Sequence, residues 1–350
     1  MTTTTTHPLQ SQDSSGIDEA TFQKIRCVFS VILFPAVGVI GTVSNFFAIV
    51  VLAKQGLTHS SNVSMFNMAI AEFLVSALVL CVYTDGLIGD FDSPAVRAFL
   101  KIRDEAIYPT RTITRGLSSL CAPVMAAERF VDIFFPFAAA RIFTMRKTFF
   151  VHVCRWLFIT FYFLPTNVVD RYEFEKREIP SSSLNGSWNV SATSVVYKLK
   201  NRDWYLYHTL LSTPIFLQAT PYIITACFSI CIGFRMRRAV TWRKKQQPAA
   251  ENTSNRNSRR VTKIVLIIMA LFIISQLPYN YLCTLCIMDP ESCVSLRTRA
   301  HMVNRYWISF VGSVNYTTGF FVYVTFNQRF RDIFLRTFLG CFFSDTEAKS

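Results

Sequence analysis

Ionisable side chains inside long apolar runs are the residues of this sequence that could do chemistry. Arg111 and Arg115 are four residues apart and therefore share one face of a helix. Glu72 is a lone acid in another run, and Glu128 directly precedes Arg129 near the end of the run that holds the two arginines. A charged residue inside a membrane helix costs about 2.5–3.5 kcal/mol on insertion scales. The spacing therefore predicts an anion-binding pair, a lone polar switch and an acid–base pair.

The sequence contains no motif typical of a metal site or of a hydrolase active site. The closest pair among the ten cysteines, Cys283 and Cys286, lies in an apolar run and lacks the second pair that a zinc site needs. Neither H-E-x-x-H nor G-x-S-x-G occurs. We therefore expect neither a metal centre nor an enzyme active site.

Composition leaves two classes of protein open. The 350 residues include 36 Lys and Arg against 22 Asp and Glu, a formal charge of +14, and only 17% of the residues are charged. That charged fraction is well below the roughly 25% typical of soluble domains. The chain is either a basic soluble protein that binds nucleic acid or a membrane protein with basic loops, and the positions of the charges decide between them.

Seven long apolar runs divide the sequence. The first, 27–53, has no charged residue, and about 20 apolar residues are enough to cross a hydrocarbon core of ~30 Å. The later runs are 62–87, 105–135, 148–169, 205–234, 261–288 and 303–326. The predicted fold is therefore an all-α membrane protein, a bundle of seven transmembrane helices, and nucleic acid is not an expected partner.

Basic residues in the loops predict the orientation of the bundle. Segment 235–263 has ten Lys and Arg against one acid, and 136–155 has four against none. Loop 170–203 is nearly balanced, with six basic and five acidic residues. Because basic loops stay in the cytoplasm, we expect the N-terminus outside, at the plasma membrane. Glycosylation sequons at Asn185 and Asn189 fall in the loop assigned to the outside.

A short amphipathic segment follows the last run. Its apolar side chains recur on one helical face: Phe330, Ile333, Phe334 and Phe338. This pattern predicts a helix that lies in the membrane interface, next to membrane lipids, and Cys341 directly after it is a candidate palmitoylation site. The predicted organisation is an extracellular disordered tail (1–24), a transmembrane domain (25–326), an interfacial helix (327–341) and a cytoplasmic tail (342–350).

Short motifs occur in a fixed order along the seven runs. In the first four runs they are Ser44-Asn45, Asn67-Met-Ala-Ile-Ala-Glu72, Glu128-Arg129-Phe130 with Pro136 seven residues beyond the arginine, and Trp156 with Pro165. In the last three they are Pro221, Phe272 with Ser275-Gln276-Leu277-Pro278, and Gly319-Phe-Phe-Val-Tyr323 followed by Asn327-Gln-Arg-Phe330. Their order over residues 38–341 identifies the chain as a member of the rhodopsin-like (class A) G protein-coupled receptor family.

The resemblance implies ligand-activated nucleotide exchange on a heterotrimeric G protein. In this family the arginine that matches Arg129 separates from its neighbouring acid, here Glu128, and helps to receive the G protein. The family's activation relay matches three further residues of this chain: Phe272, Pro278 and Tyr323.

The family also implies a sodium ion at the position of Glu72. There the matching acid binds the ion together with polar groups that match Ser118 and Asn315 in this chain. Gly319 removes another expected partner, and burial favours the neutral form of a carboxyl group. A proton-sensitive, hydrogen-bonded switch is therefore the competing interpretation of Glu72.

The resemblance places the ligand site in the outer half of the bundle. Arg111 and Arg115 lie 18 and 14 residues before Arg129, in that half, and amine receptors carry an Asp where Arg111 stands. The two guanidinium groups suit a carboxylate, a sulfate or an acidic peptide side chain. Internal pairing with nearby acids is the alternative, and those acids are Asp85, Asp104 and Glu105. The other predicted pocket residues are Gln276, Tyr279, Asn280, Tyr306 and Ser309.

Two segments indicate the class of ligand. Residues 56–64 and 141–148 resemble invertebrate FMRFamide-receptor-like sequences, so the implied ligand is a neuropeptide. The same segments resemble expanded invertebrate chemosensory receptors, for which a small anionic ligand is the alternative. A membrane transporter, the remote alternative, is expected to show two related halves, and the sequence has no internal repeat.

The disulfide that the family usually has between the third helix and the second outer loop is not expected here. Asp104 stands at the helix position, and 170–203 contains no cysteine. Two outer pairings remain open, Cys27 with Cys293 and Cys286 with Cys293.

Overall fold

The computed structural model describes residues 17–83, 93–168, 172–178, 193–199, 215–245, 253–288 and 299–340. Each of the seven predicted runs contains a long helix within these residues. The helices of the first half are α1 (Glu19–Gln55), α2 (Ser60–Val82), α3 (94–134), a short α4 (Pro136–Ile142) and α5 (Met145–Val168). Those of the second half are α6 (215–245), α7 (Thr253–Met288), α8 (Arg299–Phe326) and α9 (Gln328–Phe334), which continues as one π turn, Leu335–Leu339.

The first helix begins earlier than the apolar run. Asp18 caps α1 by accepting a hydrogen bond from the Thr21 backbone N–H at 3.0 Å, and this interaction lowers the pKa of the Asp18 carboxyl group. Arg299 of α8 binds Glu19 at 2.9 Å and donates to the Ile17 carbonyl at 3.0 Å. Residues 19–24, which the sequence assigned to the tail, are therefore helical. Hydropathy did not predict this turn because it is polar and capped by contacts with another helix.

Four helices in the described residues are long and apolar enough to cross a membrane by composition alone: Glu19–Gln55, Ser60–Val82, Ile215–Arg238 and Thr262–Tyr281. The helices α3, α5 and α8 are also long, but they carry more polar residues. Several of those residues are buried inside the bundle, among them Glu128, His152 and Asn315. Because the structure turns these side chains away from lipid, a polar sequence is compatible with a membrane helix.

Three expectations from the sequence differ from the structure. Arg155 was counted as a charge of the cytoplasmic loop, but it lies within α5 and is only 6% exposed. Loop 170–203 was given no regular structure, whereas Tyr172–Glu178 (β1) pairs antiparallel with Thr193–Leu199 (β2), Tyr172 opposite Leu199. Cys27 is a free thiol, so its proposed pairing with Cys293 is wrong. Four residues for which the sequence made predictions lie outside the described residues: Asn185, Asn189, Cys293 and Cys341.

Close helix contacts fix the positions of α1, α2 and α8. A Cβ atom at Gly41 of α1 would lie 2.9 Å from the Ser76 Cβ atom of α2 and 3.2 Å from a Thr317 methyl group of α8. Small residues allow membrane helices to approach in this way. Asn45, one turn along α1, donates to the Tyr316 carbonyl of α8 at 2.6 Å. The glycine therefore brings three helices together around the position of Glu72.

The helix after the last span packs as its pattern predicts. Asn327 caps α9 by accepting a hydrogen bond from the Phe330 backbone N–H at 3.1 Å. Phe330 is fully buried between Phe320 and Tyr323, with ring centroids 6.0 and 5.4 Å away. Phe338 stacks against Phe47 of α1 at 4.6 Å. The apolar face of α9 therefore lies against α1 and α8.

Replacement of Phe330 with alanine is expected to destabilise this end of the bundle. Truncation of a buried Phe to Ala typically costs about 3–5 kcal/mol, because the lost contacts leave a cavity. The measurement is the thermal unfolding midpoint of the purified receptor in detergent. Phe321→Ala is the matched control because Phe321 is adjacent to Phe320 but 52% exposed. Equal midpoints for the two variants would contradict the packing of α9.

Candidate functional site

The end of the bundle where α2 begins contains a buried carboxylate with four hydrogen-bond donors. Glu128 of α3 is 1% exposed. Its Oε1 atom accepts from Ser60 at 2.6 Å, Ser61 at 3.2 Å and Arg129 at 2.8 Å, and its Oε2 atom accepts from Ser64 at 2.9 Å. A carboxylate has about four lone-pair sites, so these four donors match an ionised Glu128. We call these five residues the Glu128 cluster.

Arg129 has a second carboxylate partner that the sequence analysis missed. Its Nη1 atom lies 2.8 Å from Asp132 Oδ2, one helical turn further along α3. The arginine is 5% exposed, and its Nη2 atom also donates to Ser61. The spacing of three residues between Arg129 and Asp132 was the available signal. Two acids and a serine therefore hold the guanidinium within the bundle.

The serine partners come from one short stretch at the start of α2. Ser60, Ser61 and Ser64 all reach Glu128, so the first turns of α2 are tied to the inner end of α3. Three serines within five residues at the start of an apolar run were a visible pattern. Their target was not predictable because it lies on another helix.

Glu72 of α2 is buried against α8 and has no hydrogen bond to the predicted sodium partners among the described residues. It is 1% exposed, and its Oε1 atom has no hydrogen-bond partner among the described residues. The Oε2 atom lies 3.3 Å from the position of a Cβ atom on Gly319. Ser118 and Asn315 are also buried, but neither has a hydrogen bond to Glu72 in the described part of the chain. The glycine gives the carboxyl group room to reach α8.

The structure buries two of the three residues that were predicted for the activation relay. Phe272 and Tyr323 are 6% and 3% exposed, and Pro278 lies inside α7. The Tyr323 hydroxyl is buried without a hydrogen-bond partner in the described residues. Its ring lies 4.0 Å from the position of a Cβ atom on Gly319, so Tyr323 and Glu72 flank the same glycine.

Both outer arginines lie over tyrosine rings. The Arg115 guanidinium carbon is 4.2 Å from the Tyr279 ring centroid of α7, and that of Arg111 is 5.4 Å from the Tyr83 ring at the end of α2. Cation–π contacts of this kind contribute about 0.5–2 kcal/mol. In each contact the flat face of the guanidinium group packs on the tyrosine ring. The N–H edge of a guanidinium group is the part that suits an anion. The structure therefore brings together Arg115 and Tyr279, two residues predicted for the ligand site.

Buried amide groups lie on the same helix as Tyr279. Gln276 is 2% exposed, and its Oε1 and Nε2 atoms have no hydrogen-bond partner among the described residues. Asn280 donates to the Gln276 carbonyl at 2.9 Å, but its Oδ1 atom is also buried and unpartnered. A buried polar atom without a partner costs about 1–3 kcal/mol. These atoms can therefore receive hydrogen bonds from, or donate them to, a bound molecule.

Of the two predicted pocket residues on α8, Tyr306 contacts α1. The Tyr306 ring stacks on Phe29 at 5.7 Å with an angle of 17° between the rings. Ser309 is half-buried, and its carbonyl accepts a hydrogen bond from Ser313 at 2.8 Å. Tyr306 therefore packs between α8 and α1, apart from the contact of Arg115 with Tyr279.

The described residues include seven long helices, an ion-paired arginine near one end of α3 and buried polar groups towards the other end, an arrangement that fits a membrane receptor. Residues 44–316 match the family model of the 7 transmembrane receptor (rhodopsin family). The chain belongs to this family: it is a G protein-coupled receptor and a multi-pass protein of the plasma membrane rather than an enzyme. This finding confirms the family and the fold predicted from the motifs. The allatostatin-A receptor of Bombyx mori is 21% identical over 311 residues, 86% of this chain and 78% of that receptor.

Proposed function

We propose that this receptor is activated by a neuropeptide that binds in the outer half of the bundle. The main observation that supports this proposal is the contact of Arg115 with Tyr279, because it joins α3 to α7 beside the amide of Gln276, which has no partner among the described residues. A peptide offers backbone amides for Gln276 and Asn280 and a carboxylate, from a side chain or a terminus, for Arg111 and Arg115. The similarity to an allatostatin-A receptor supports a peptide over a small anion.

The test is nucleotide exchange by the purified receptor in nanodiscs with purified heterotrimeric G proteins. One arm of the screen is a peptide library that includes allatostatin-A of Bombyx mori, and the other is a set of small carboxylates and sulfates. Exchange stimulated by peptides supports the proposal. Stimulation by the small anions alone supports the chemosensory alternative and contradicts the proposal.

The G protein is proposed to bind at the end of the bundle that holds Arg129. Segment 235–263 contributes ten basic residues at this end, and α4 presents Phe137, which is 92% exposed. In the proposed complex this side chain packs against the G protein. Release of Arg129 from Glu128 and Asp132 frees its guanidinium for the G protein.

The proposed orientation has the N-terminus outside. The basic segments 136–155 and 235–263 support it, because such segments stay in the cytoplasm. Treatment with a glycosidase is expected to lower the mass of the wild-type receptor but not that of the Asn185→Gln/Asn189→Gln double variant.

Palmitoylation at Cys341 is proposed to hold α9 at the inner leaflet, and hydroxylamine treatment of the labelled receptor tests it.

Sodium is expected to have no effect on agonist potency. Glu72 is 1% exposed and lies beside Gly319, which offers no side chain as a further ion ligand, and burial favours the neutral form of a carboxyl group, so we propose that Glu72 is a proton-sensitive switch and not an ion ligand. The measurement compares potency in sodium chloride with potency in choline chloride. A sodium-dependent fall in potency that Glu72→Gln removes would show that an ion binds there after all.

A further inference from the structure

The fourth membrane helix turns three polar side chains into the bundle. Thr148, His152 and Arg155 are spaced four and three residues apart on α5, and they are 2%, 1% and 6% exposed. The large residues between these three and just beyond them face outward, each more than a third exposed: Phe149, Phe150, Val153, Leu157 and Phe158. Polar residues buried in a membrane helix are costly and therefore point to a function. No motif of the sequence includes these three residues.

His152 reaches the Glu128 cluster through one serine. Its Nε2 atom lies 3.1 Å from the Ser64 hydroxyl oxygen, which in turn donates to Glu128 Oε2 at 2.9 Å. The chain of hydrogen bonds therefore runs from α5 through α2 to α3. It ends on the carboxylate that holds Arg129.

The direction of these hydrogen bonds follows from the partners. The Glu128 carboxylate only accepts, so the single hydroxyl hydrogen of Ser64 is used on it. The Ser64 oxygen must then accept from His152, and the hydrogen of the imidazole lies on Nε2. The Nδ1 atom is buried and has no partner among the described residues. Ser61 is a similar link in the hydrogen-bond network, since it accepts a hydrogen bond from Arg129 and donates one to Glu128.

We propose that His152 is a positioning residue of the G protein switch: by donating its Nε2 hydrogen to Ser64, it directs the Ser64 hydroxyl onto Glu128 and stabilises the paired state of Arg129. Without this donor the hydroxyl is free to rotate, and Glu128 loses one of its four donors for part of the time. The pair of Glu128 with Arg129 then opens more often. This inference rests on the proposed role of that pair, so its test includes the pair itself.

The experiment measures basal nucleotide exchange by the full-length receptor in nanodiscs with a purified heterotrimeric G protein and no agonist. His152→Phe keeps an aromatic ring but removes the donor, and its basal exchange is expected to rise about threefold to tenfold, the effect of one hydrogen bond. His152→Gln, whose amide nitrogen can reach Ser64, is expected to stay near the wild-type rate. A role in packing alone would not give this rescue.

Two further variants place the effect on the chain of hydrogen bonds. Ser64→Ala is expected to raise basal exchange, and addition of His152→Phe to it is expected to add nothing, because His152 acts on Glu128 only through the Ser64 hydroxyl. Multiplied effects in the double variant would overturn the inference. If His152→Phe does not fold, His152→Asn, whose shorter amide does not reach Ser64, is compared with His152→Gln.

A matched control and a positive control separate the possible failures. His301→Phe makes the same substitution at the outer end of α8 and is expected to leave basal exchange unchanged. Glu128→Gln is expected to raise it. If Glu128→Gln raises basal exchange and His152→Phe does not, the role of His152 is wrong while that of the pair stands. If neither variant raises it, the proposed role of the pair fails as well.

Discussion

Replacement of Arg115 with alanine is expected to reduce agonist potency by about 30-fold or more. The substitution removes a guanidinium that lies 4.2 Å from the Tyr279 ring and, in the proposed complex, a charge partner of the ligand. Loss of one member of a buried charged pair costs about 2–5 kcal/mol, and each 1.4 kcal/mol is a factor of ten in affinity. The measurement is the concentration dependence of nucleotide exchange for the strongest peptide of the screen.

Two variants distinguish the charge from the shape at this position. Arg115→Lys keeps the charge but lacks the planar fork, so its potency is expected to lie between those of the wild type and Arg115→Ala. Arg305→Ala removes an exposed arginine from the outer part of α8 and is expected to leave potency unchanged. If Arg115→Ala reaches the cell surface and responds at wild-type potency, the arginine does not bind the ligand.

Replacement of Arg129 with alanine is expected to reduce agonist-stimulated exchange to the basal rate while peptide binding persists. In the structure this guanidinium is held by Glu128 and Asp132 at 2.8 Å each, and in the proposed mechanism it moves onto the G protein. The measurement pairs exchange with binding of a labelled peptide to the same nanodiscs. Arg146→Ala, which removes an exposed arginine near the same end of the bundle, is expected to bind and signal normally.

The two acids that hold Arg129 are expected to differ in their effects. Glu128 is fully buried with four donors, whereas the Asp132 side chain is 31% exposed, so solvent screens its attraction for the arginine. Glu128→Gln is therefore expected to raise basal exchange more than Asp132→Asn. Normal agonist-stimulated exchange by Arg129→Ala would mean that neither ion pair belongs to the switch.

Features that depend on neighbouring residues were predictable from the sequence. The length of the apolar runs located the seven spans, because a helix rises a fixed distance per residue and the hydrocarbon core has a fixed thickness. The four apolar residues of α9 were assigned to one face, and the structure packs Phe330 and Phe338 from that face against α8 and α1. Both predictions rest on spacing along one segment.

Features that depend on contacts with another helix were not predictable from the sequence. The start of α1 at Glu19 depends on the ion pair with Arg299, which lies far along the chain. The Arg155 side chain faces into the bundle, where it donates a hydrogen bond to the Cys121 thiol. The membrane runs are apolar on most sides, so their pattern does not specify which residues face a neighbour. The site at Glu72 shows the consequence, since no hydrogen bond joins Glu72 to Ser118 or Asn315 among the described residues.

The sequence by itself determined the class of this protein: seven membrane helices, the family motifs in order, an arginine at the inner end of the third helix and two arginines in its outer half. Only the tertiary structure decided which atoms these residues meet. It placed three serines and His152 around Glu128, Gly319 against Glu72, and Tyr279 beneath Arg115. The physical reason is that each contact depends on the rotation and depth of one helix relative to another, and the packing of whole helices sets both.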